Sequence, residues 1–209
     1  AEGPSFIRVD VWHDVVCPWC RIGLTNLHSV LDAWRGHPVS INYRPFQLEP
    51  STPAEGLDLR QHLQQKYQLT DTNSMFDRVN TAGAQVGITF NWERVTIMPQ
   101  TLLSHVLIRA AMGRERDVLH ALHVAYFDEG KNIGRREVLS EIAAAALLSS
   151  EIVARASDDA EQVAAIRAEA AQAAQSGIRS VPHFQIGNQT LRGAQGPDAI
   201  RRAFELAAG

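Results

Sequence analysis

Hydrophobic and polar positions alternate as the chain begins. In residues 6–12, Ile7, Val9 and Val11 share one face and Arg8 and Asp10 the other, which predicts a strand. After a short link, Leu24, Leu27, Leu31 and Trp34 recur at helical spacing up to Gly36, and Pro18 suits the first turn of that helix. Residues 39–46 alternate again, with Val39, Ile41 and Tyr43 on one side, and predict a second strand. A helix of this length between two strands reads as a βαβ unit with parallel strands and a right-handed crossover.

From about residue 54 to 157 the strand signal fades into amphipathic helices, marked by Leu59, Leu63 and Tyr67; by Met75, Val79, Ala82 and Val86; and by Leu103, Val106, Leu107 and Ala110. Val118, Leu122 and Tyr126, then Val138, Ile142 and Ala145, continue the series. No fixed period repeats, so an all-helical insertion is expected rather than a solenoid. Residues 87–99 form the one long irregular piece, with Phe90, Trp92 and Met98 available for packing or for a ligand. Asp158 with Glu161 resembles a capping pair for a helix carried by Val163, Ile166, Ala170 and Ala173 to Gly177. The tail reads as a hairpin, 181–186 and 190–192 around Gly187-Asn188-Gln189, then a helix over 197–208.

The totals narrow the classes. A chain of 209 residues with 45% hydrophobic residues and a net charge of -3 is long enough for a large core, and has no basic surplus for nucleic acid. The longest apolar run, from Ile142 to Leu148, is far short of the roughly 18 to 20 residues of a membrane span. Ala1-Glu2-Gly3-Pro4-Ser5 has neither basic residues nor an apolar stretch, so no signal peptide is read; a start on Ala1 leaves room for a removed leader. Two cysteines make no disulfide framework, and a cytoplasmic location is expected, with a periplasmic or secreted one as the alternative.

Both cysteines stand in Cys17-Pro18-Trp19-Cys20, at the predicted helix start. Such a pair can share a disulfide, form half a zinc site or stand inert. Zinc wants four ligands and would need two histidines brought in by the fold. The open N–H groups and dipole of a helix start favour a thiolate, which makes Cys17 the expected nucleophile and Cys20, one turn on, the resolving thiol. Asp14 is read either as a proton acceptor for Cys20 or as a turn residue before the helix. Trp19 is expected to cover the site, Trp34 to lie in the core, and His105 and His123 to be satisfied histidines on helices.

The ends of the chain together give β, α, β, then α, β, β, α, the thioredoxin order interrupted by helices. Val181-Pro182 stands where that fold places its cis-proline, opposite the Cys-x-x-Cys pair. The chain resembles the DsbA-like thioredoxin-fold oxidoreductases, and among them the FrnE-type branch. The resemblance is carried by Asp14-Val15-Val16-Cys17-Pro18-Trp19-Cys20 with Ile22-Gly23, by Phe46-Gln47-Leu48 and Pro50, and by Pro99-Gln100-Thr101 with His105. Ser180-Val181-Pro182-His183-Phe184 and Gly193-Ala194-Gln195 complete it. It implies an α/β thioredoxin fold with an all-helical insertion: residues 1–53 with 158–209 as the thioredoxin domain, 54–157 as the insertion.

It further implies a redox-active dithiol at Cys17 and Cys20, with Pro182 and Val181 holding the partner chain and Pro18, Trp19 and His183 near the substrate. No tightly bound cofactor or metal is expected, and glutathione is the candidate redox partner. Expected partners are a disulfide or dithiol protein or a small thiol, not nucleic acid or membrane; monomer and dimer stay open. Two departures stand out: Gln100-Thr101 replaces the usual Asn-Thr, and the extra cysteine pair of some FrnE-type proteins is lacking. The alternative is a glutathione-dependent isomerase or transferase of the kappa-class or hydroxychromene-carboxylate isomerase type, with a place in polyketide biosynthesis. Those enzymes use a serine where Cys17 stands and need no Cys20.

Overall fold

The computed structural model describes residues 6–149 and 151–209, so the N-terminal residues 1–5 lie outside it. Two compact units form: the chain up to Phe46 together with Glu169–Gly209, and Gln47–Ala168. The limits read from the sequence, 54 and 157, both fall inside the second unit.

In the first unit β1 (Ile7–His13), α1 (Pro18–Ala33) and β2 (Val39–Pro45) make the βαβ unit, with β1 and β2 parallel in the register Ile7 to Val39. β5 (His183–Ile186) pairs antiparallel with β1, and β6 (Gln189–Arg192) with β5, giving one mixed sheet in the order β2-β1-β5-β6. Period-two alternation puts Val9, Val11, Phe184 and Ile186 on one buried face, towards α1 and the last helix, α9 (Pro197–Ala208). Trp34, expected in the core, is only half-buried; it meets Phe204 edge-on at 5.4 Å and donates from Nε1 to the His37 carbonyl at 2.9 Å. The other face is polar: Asp10 is buried and accepts from Arg8 Nε at 3.0 Å and Arg44 Nε at 2.9 Å. Arg44 also reaches Glu169 at 3.4 Å.

The second unit contains α2 (Leu59–Tyr67), α3 (Asn73–Ala84), α4 (Leu102–Ala110), α5 (Glu115–His123), α6 (Arg136–Ala145), α7 (Ile152–Asp158) and the first part of α8 (Ala160–Gln175). Three features escape helical periodicity. A two-residue pair, β3 (Leu57–Asp58) with β4 (Ile97–Met98), closes a long loop, and α5 runs into a π-turn at Val124–Asp128. Asp158 ends α7 and pairs with Arg136, so it does not cap α8; Asp159 does, accepting from Gln162 N at 3.0 Å. The irregular 87–99 segment is a packing element. Trp92 stacks on Phe76 at 4.1 Å and on Phe90 at 5.3 Å, its Nε1 donating to Asn80 at 2.8 Å.

Gln100 explains itself in the same unit. Its carboxamide accepts from Gln47 Nε2 at 2.6 Å and from Leu102 N at 3.0 Å, and donates to the carbonyls of Pro50 and Thr52 at 3.2 and 2.8 Å. It is a latch between two loops. No helix among the described residues is long and apolar enough to cross a membrane.

Candidate active site

The link from β1 to α1 sets the site. Cys17 N donates to the Asp14 carbonyl at 3.1 Å, turning the chain so that Cys17 becomes the N-cap of α1 and Pro18 its first helical residue. Proline belongs there, since its fixed φ fits and its missing N–H has no intrahelical partner to lose. No side chain caps this end, so the first-turn donors face the Cys17 side. Cys20 and Arg21 already donate to the Cys17 carbonyl at 3.1 and 3.3 Å.

The two thiols differ in environment. Both are unpaired to any disulfide; Cys17 is 6% exposed and Cys20 not at all. Cys17 Sγ donates to the Val181 carbonyl at 3.8 Å, across 164 residues of chain. Burial, then the hydrogen bond and charge of Cys17, push the Cys20 thiol well above its ordinary range. The Asp14 main chain bonds to it in the opposite sense, and the nearby Asp14 carboxylate adds to the rise. Asp14 itself is 1% exposed, with Oδ1 accepting from Val15 N at 2.9 Å. It is thus a turn residue and a neighbour of Cys20 at once.

The turn opposite α1 is built from the sequence blocks near the C-terminus. The Val181–Pro182 bond is cis. The Pro182 carbonyl accepts from Gly193 N at 2.9 Å, and Asn26 of α1 donates to the Gln195 carbonyl at 3.0 Å, so 193–195 fastens the turn to the helix. Gly23 lets them touch. These supporting residues were not expected as functional; a glycine and an asparagine in the interior of a helix are the signal that something packs there.

Trp19 and Pro18 are half-exposed beside Cys17, and Val181 is buried. His183 falls elsewhere. Because Phe184 points at α1, its neighbour in the strand points away, and His183 meets Trp12 edge-on at 5.5 Å on the opposite face of the sheet. Burial, then the charge of Arg192, lower its pKa. His105 and His123 are buried in the helical unit, and no group of three or more His, Cys, Asp or Glu among the described residues is placed to hold a metal.

Paired thiols at a helix start, one with a sliver of exposed surface and one sealed beneath it, are the arrangement that thiol-disulfide exchange uses. In general terms the chain is a thioredoxin-fold thiol-disulfide oxidoreductase or isomerase. It belongs to the DSBA-like thioredoxin domain family, which matches residues 8–205. It is 26% identical over 207 residues to the uncharacterized protein YwbO of Bacillus subtilis, covering 95% of this chain and 96% of that one. The probable DsbA oxidoreductase of Streptomyces coelicolor superposes with a TM-score of 0.85 at 26% identity, over 96% of this chain and 89% of the other. The cytosolic disulfide reductase DsbM of Pseudomonas aeruginosa shares the fold, with a TM-score of 0.66 at 20% identity over 95% and 97%.

Proposed function

We propose that the chain is a thiol-disulfide oxidoreductase in which Cys17 is the attacking thiol and Cys20 the resolving one. The observation that carries this is Cys17 Sγ at the uncapped start of α1, 3.8 Å from the Val181 carbonyl, with Cys20 sealed one turn below. Cys17 attacks a substrate disulfide and forms a mixed disulfide; Cys20 then attacks Cys17 and releases the second substrate thiol. Val181 and Pro182 supply the backbone edge for the substrate, Pro18 and Trp19 flank it, and Asp14 stands beside the Cys20 proton.

The substrate is a protein or small-molecule disulfide, with glutathione as the redox partner; the DsbM reductase is also described with GSH. The cytoplasm is the compartment this reading favours, and the FrnE-type branch the subgroup. Pro-Trp between the thiols lacks the imidazole of Pro-His, so the pair is a milder oxidant than DsbA. A potential near about -120 mV in a titration against glutathione would overturn that. Glutathione-activated isomerisation of the kappa or hydroxychromene-carboxylate type leaves Cys20 without a role.

The test is insulin reduction and refolding of scrambled ribonuclease by wild type, Cys17→Ser and Cys20→Ser. Cys17→Ser is expected to lose both activities, and Cys20→Ser to accumulate a mixed disulfide visible by mass spectrometry. Full activity of Cys17→Ser on either substrate sinks the mechanism.

A further inference from the structure

Both ladders of β5 stop at His183, which pairs with Trp12 on one side and Arg192 on the other. The turn that carries the Val181 carbonyl lies just beyond them and is placed by other contacts. The Cys17 Sγ bond at 3.8 Å does little of this, because a thiol is a weak donor and the separation is long. Its length reports where the turn lies. A stronger contact comes from Gly193, whose N–H donates to the Pro182 carbonyl at 2.9 Å, so the position of residue 193 sets that of the turn.

Residue 193 is held in turn from α1. Asn26 is only 5% exposed in the middle of that helix, where asparagine is a poor helix former and a buried carboxamide needs a partner. Its Nδ2 donates to the Gln195 carbonyl at 3.0 Å. Gln195 N donates to the Gly193 carbonyl at 2.9 Å and Gln195 Nε2 to the Arg192 carbonyl at 2.6 Å, so 192–195 is tied into one piece. Gly23, three residues before Asn26 on the same helix face, gives that piece room: a Cβ there would stand 3.5 Å from Ala194 Cα. The contacts close a ring, from Cys17 through Val181, Pro182, Gly193, Gln195 and Asn26 and back along α1. Nucleophile and anchor therefore sit on one rigid element.

We propose that Asn26 is a positioning residue for substrates that present their disulfide on an extended peptide. Through Gln195 and Gly193 it holds the Val181 carbonyl at the distance from Cys17 Sγ where one chain meets the backbone edge and the sulfur together. This rests on the roles given above to Cys17 as nucleophile and to Val181 and Pro182 as the substrate edge. An extended chain takes its affinity from main-chain hydrogen bonds, and its sulfur reacts only when it is aligned with the nucleophile. A displaced turn leaves one of the two contacts unmade. A small disulfide with no peptide backbone has no such edge to match, so its reaction with Cys17 is independent of Asn26.

The experiment measures insulin reduction over a range of insulin concentrations, with glutathione as reductant, beside the stopped-flow reaction of the reduced enzyme with 5,5′-dithiobis(2-nitrobenzoate). Asn26→Ala is expected to raise the insulin KM about tenfold, the worth of one well-placed hydrogen bond, and to leave kcat within about twofold. The thionitrobenzoate released keeps its wild-type rate and amount. A merely structural role would instead lower kcat and the amount of thionitrobenzoate together and leave KM alone. Gln195→Ala, at a half-buried position, keeps the main-chain carbonyl that Asn26 meets and loses only the bond to Arg192. It is expected to raise KM in the same direction by less, and carries the test alone where Asn26→Ala does not fold. A wild-type KM in the folded variant, kcat and thionitrobenzoate falling together, or both substrates slowed alike, overturns the proposal. Cys17→Ser in the same assays separates the two failures: if it reduces insulin fully, the dithiol mechanism has failed instead.

Discussion

Gly23 of α1 lies directly against Pro182: a Cβ at position 23 would stand 2.9 Å from Pro182 Cγ and 3.3 Å from Phe184 Cζ. Alanine in a helix interior is ordinarily worth up to about 1 kcal/mol over glycine. Here it meets a proline ring held by the Gly193 hydrogen bond, and overpacking of this kind costs about 1–3 kcal/mol. Gly23→Ala is therefore expected to lower the urea midpoint and to slow insulin reduction, because the Val181–Pro182 turn is pushed away from Cys17. A variant as stable and as active as wild type would show that the turn yields.

The raised Cys20 thiol makes stability fall in alkali. An unfolded cysteine ionises near pH 8.5, while sealed Cys20 keeps its proton well beyond that. Above about pH 8.5 the unfolded state binds fewer protons than the native one, so ΔG of unfolding of the reduced protein decreases as pH rises. The slope reaches at most about 1.4 kcal/mol per pH unit. Urea titrations of reduced wild type and Cys20→Ala at about pH 8 and 10 check it: the wild type loses more between the two pH values than the variant does.

His183 gives the opposite window. Burial, then Arg192, lower its folded pKa below the ordinary value near 6.5. As pH falls through about 6.5 the unfolded state takes up the proton first, so stability declines from there downwards. His183→Gln lacks this decline. Equal acid sensitivity of wild type and variant in thermal melts would show that Arg192 and the strand leave the imidazole unperturbed.

In the helical unit, Gln100→Ala removes four hydrogen bonds and leaves the Pro50 and Thr52 carbonyls and the Leu102 amide to find other partners. A loss of about 1–3 kcal/mol is expected, since part of the latch is exposed and water replaces some of it. Gln100→Asn, one methylene shorter, is expected to recover only part of this. Urea melts of the three proteins measure the difference.

The pattern of apolar positions was enough to place β1, α1, β2, the hairpin and α9, because each buries one face and its period declares it. It also placed Cys17 at a helix start, since Pro18 and the following leucines mark that start by themselves. The short pairing of β3 with β4, the π-turn and the shift of the α8 cap from Asp158 to Asp159 had no periodic signal. Two residues of strand carry no alternation, and either aspartate satisfies the same local chemistry.

What only the tertiary structure decided is the company each site residue keeps. Sequence put His183 beside Pro182, but the alternation of β5 turns it to the far face. His13 ends β1, and only the pairing with β2 brings the Tyr43 ring edge-on to it at 6.2 Å. Asp14 was open between turn residue and proton acceptor for Cys20; packing makes it a turn residue and sets it next to that thiol. Spacing along a chain fixes the face on which a side chain lies, whereas contact across 164 residues, as between Cys17 and Val181, exists only once the sheet and helix have closed on each other.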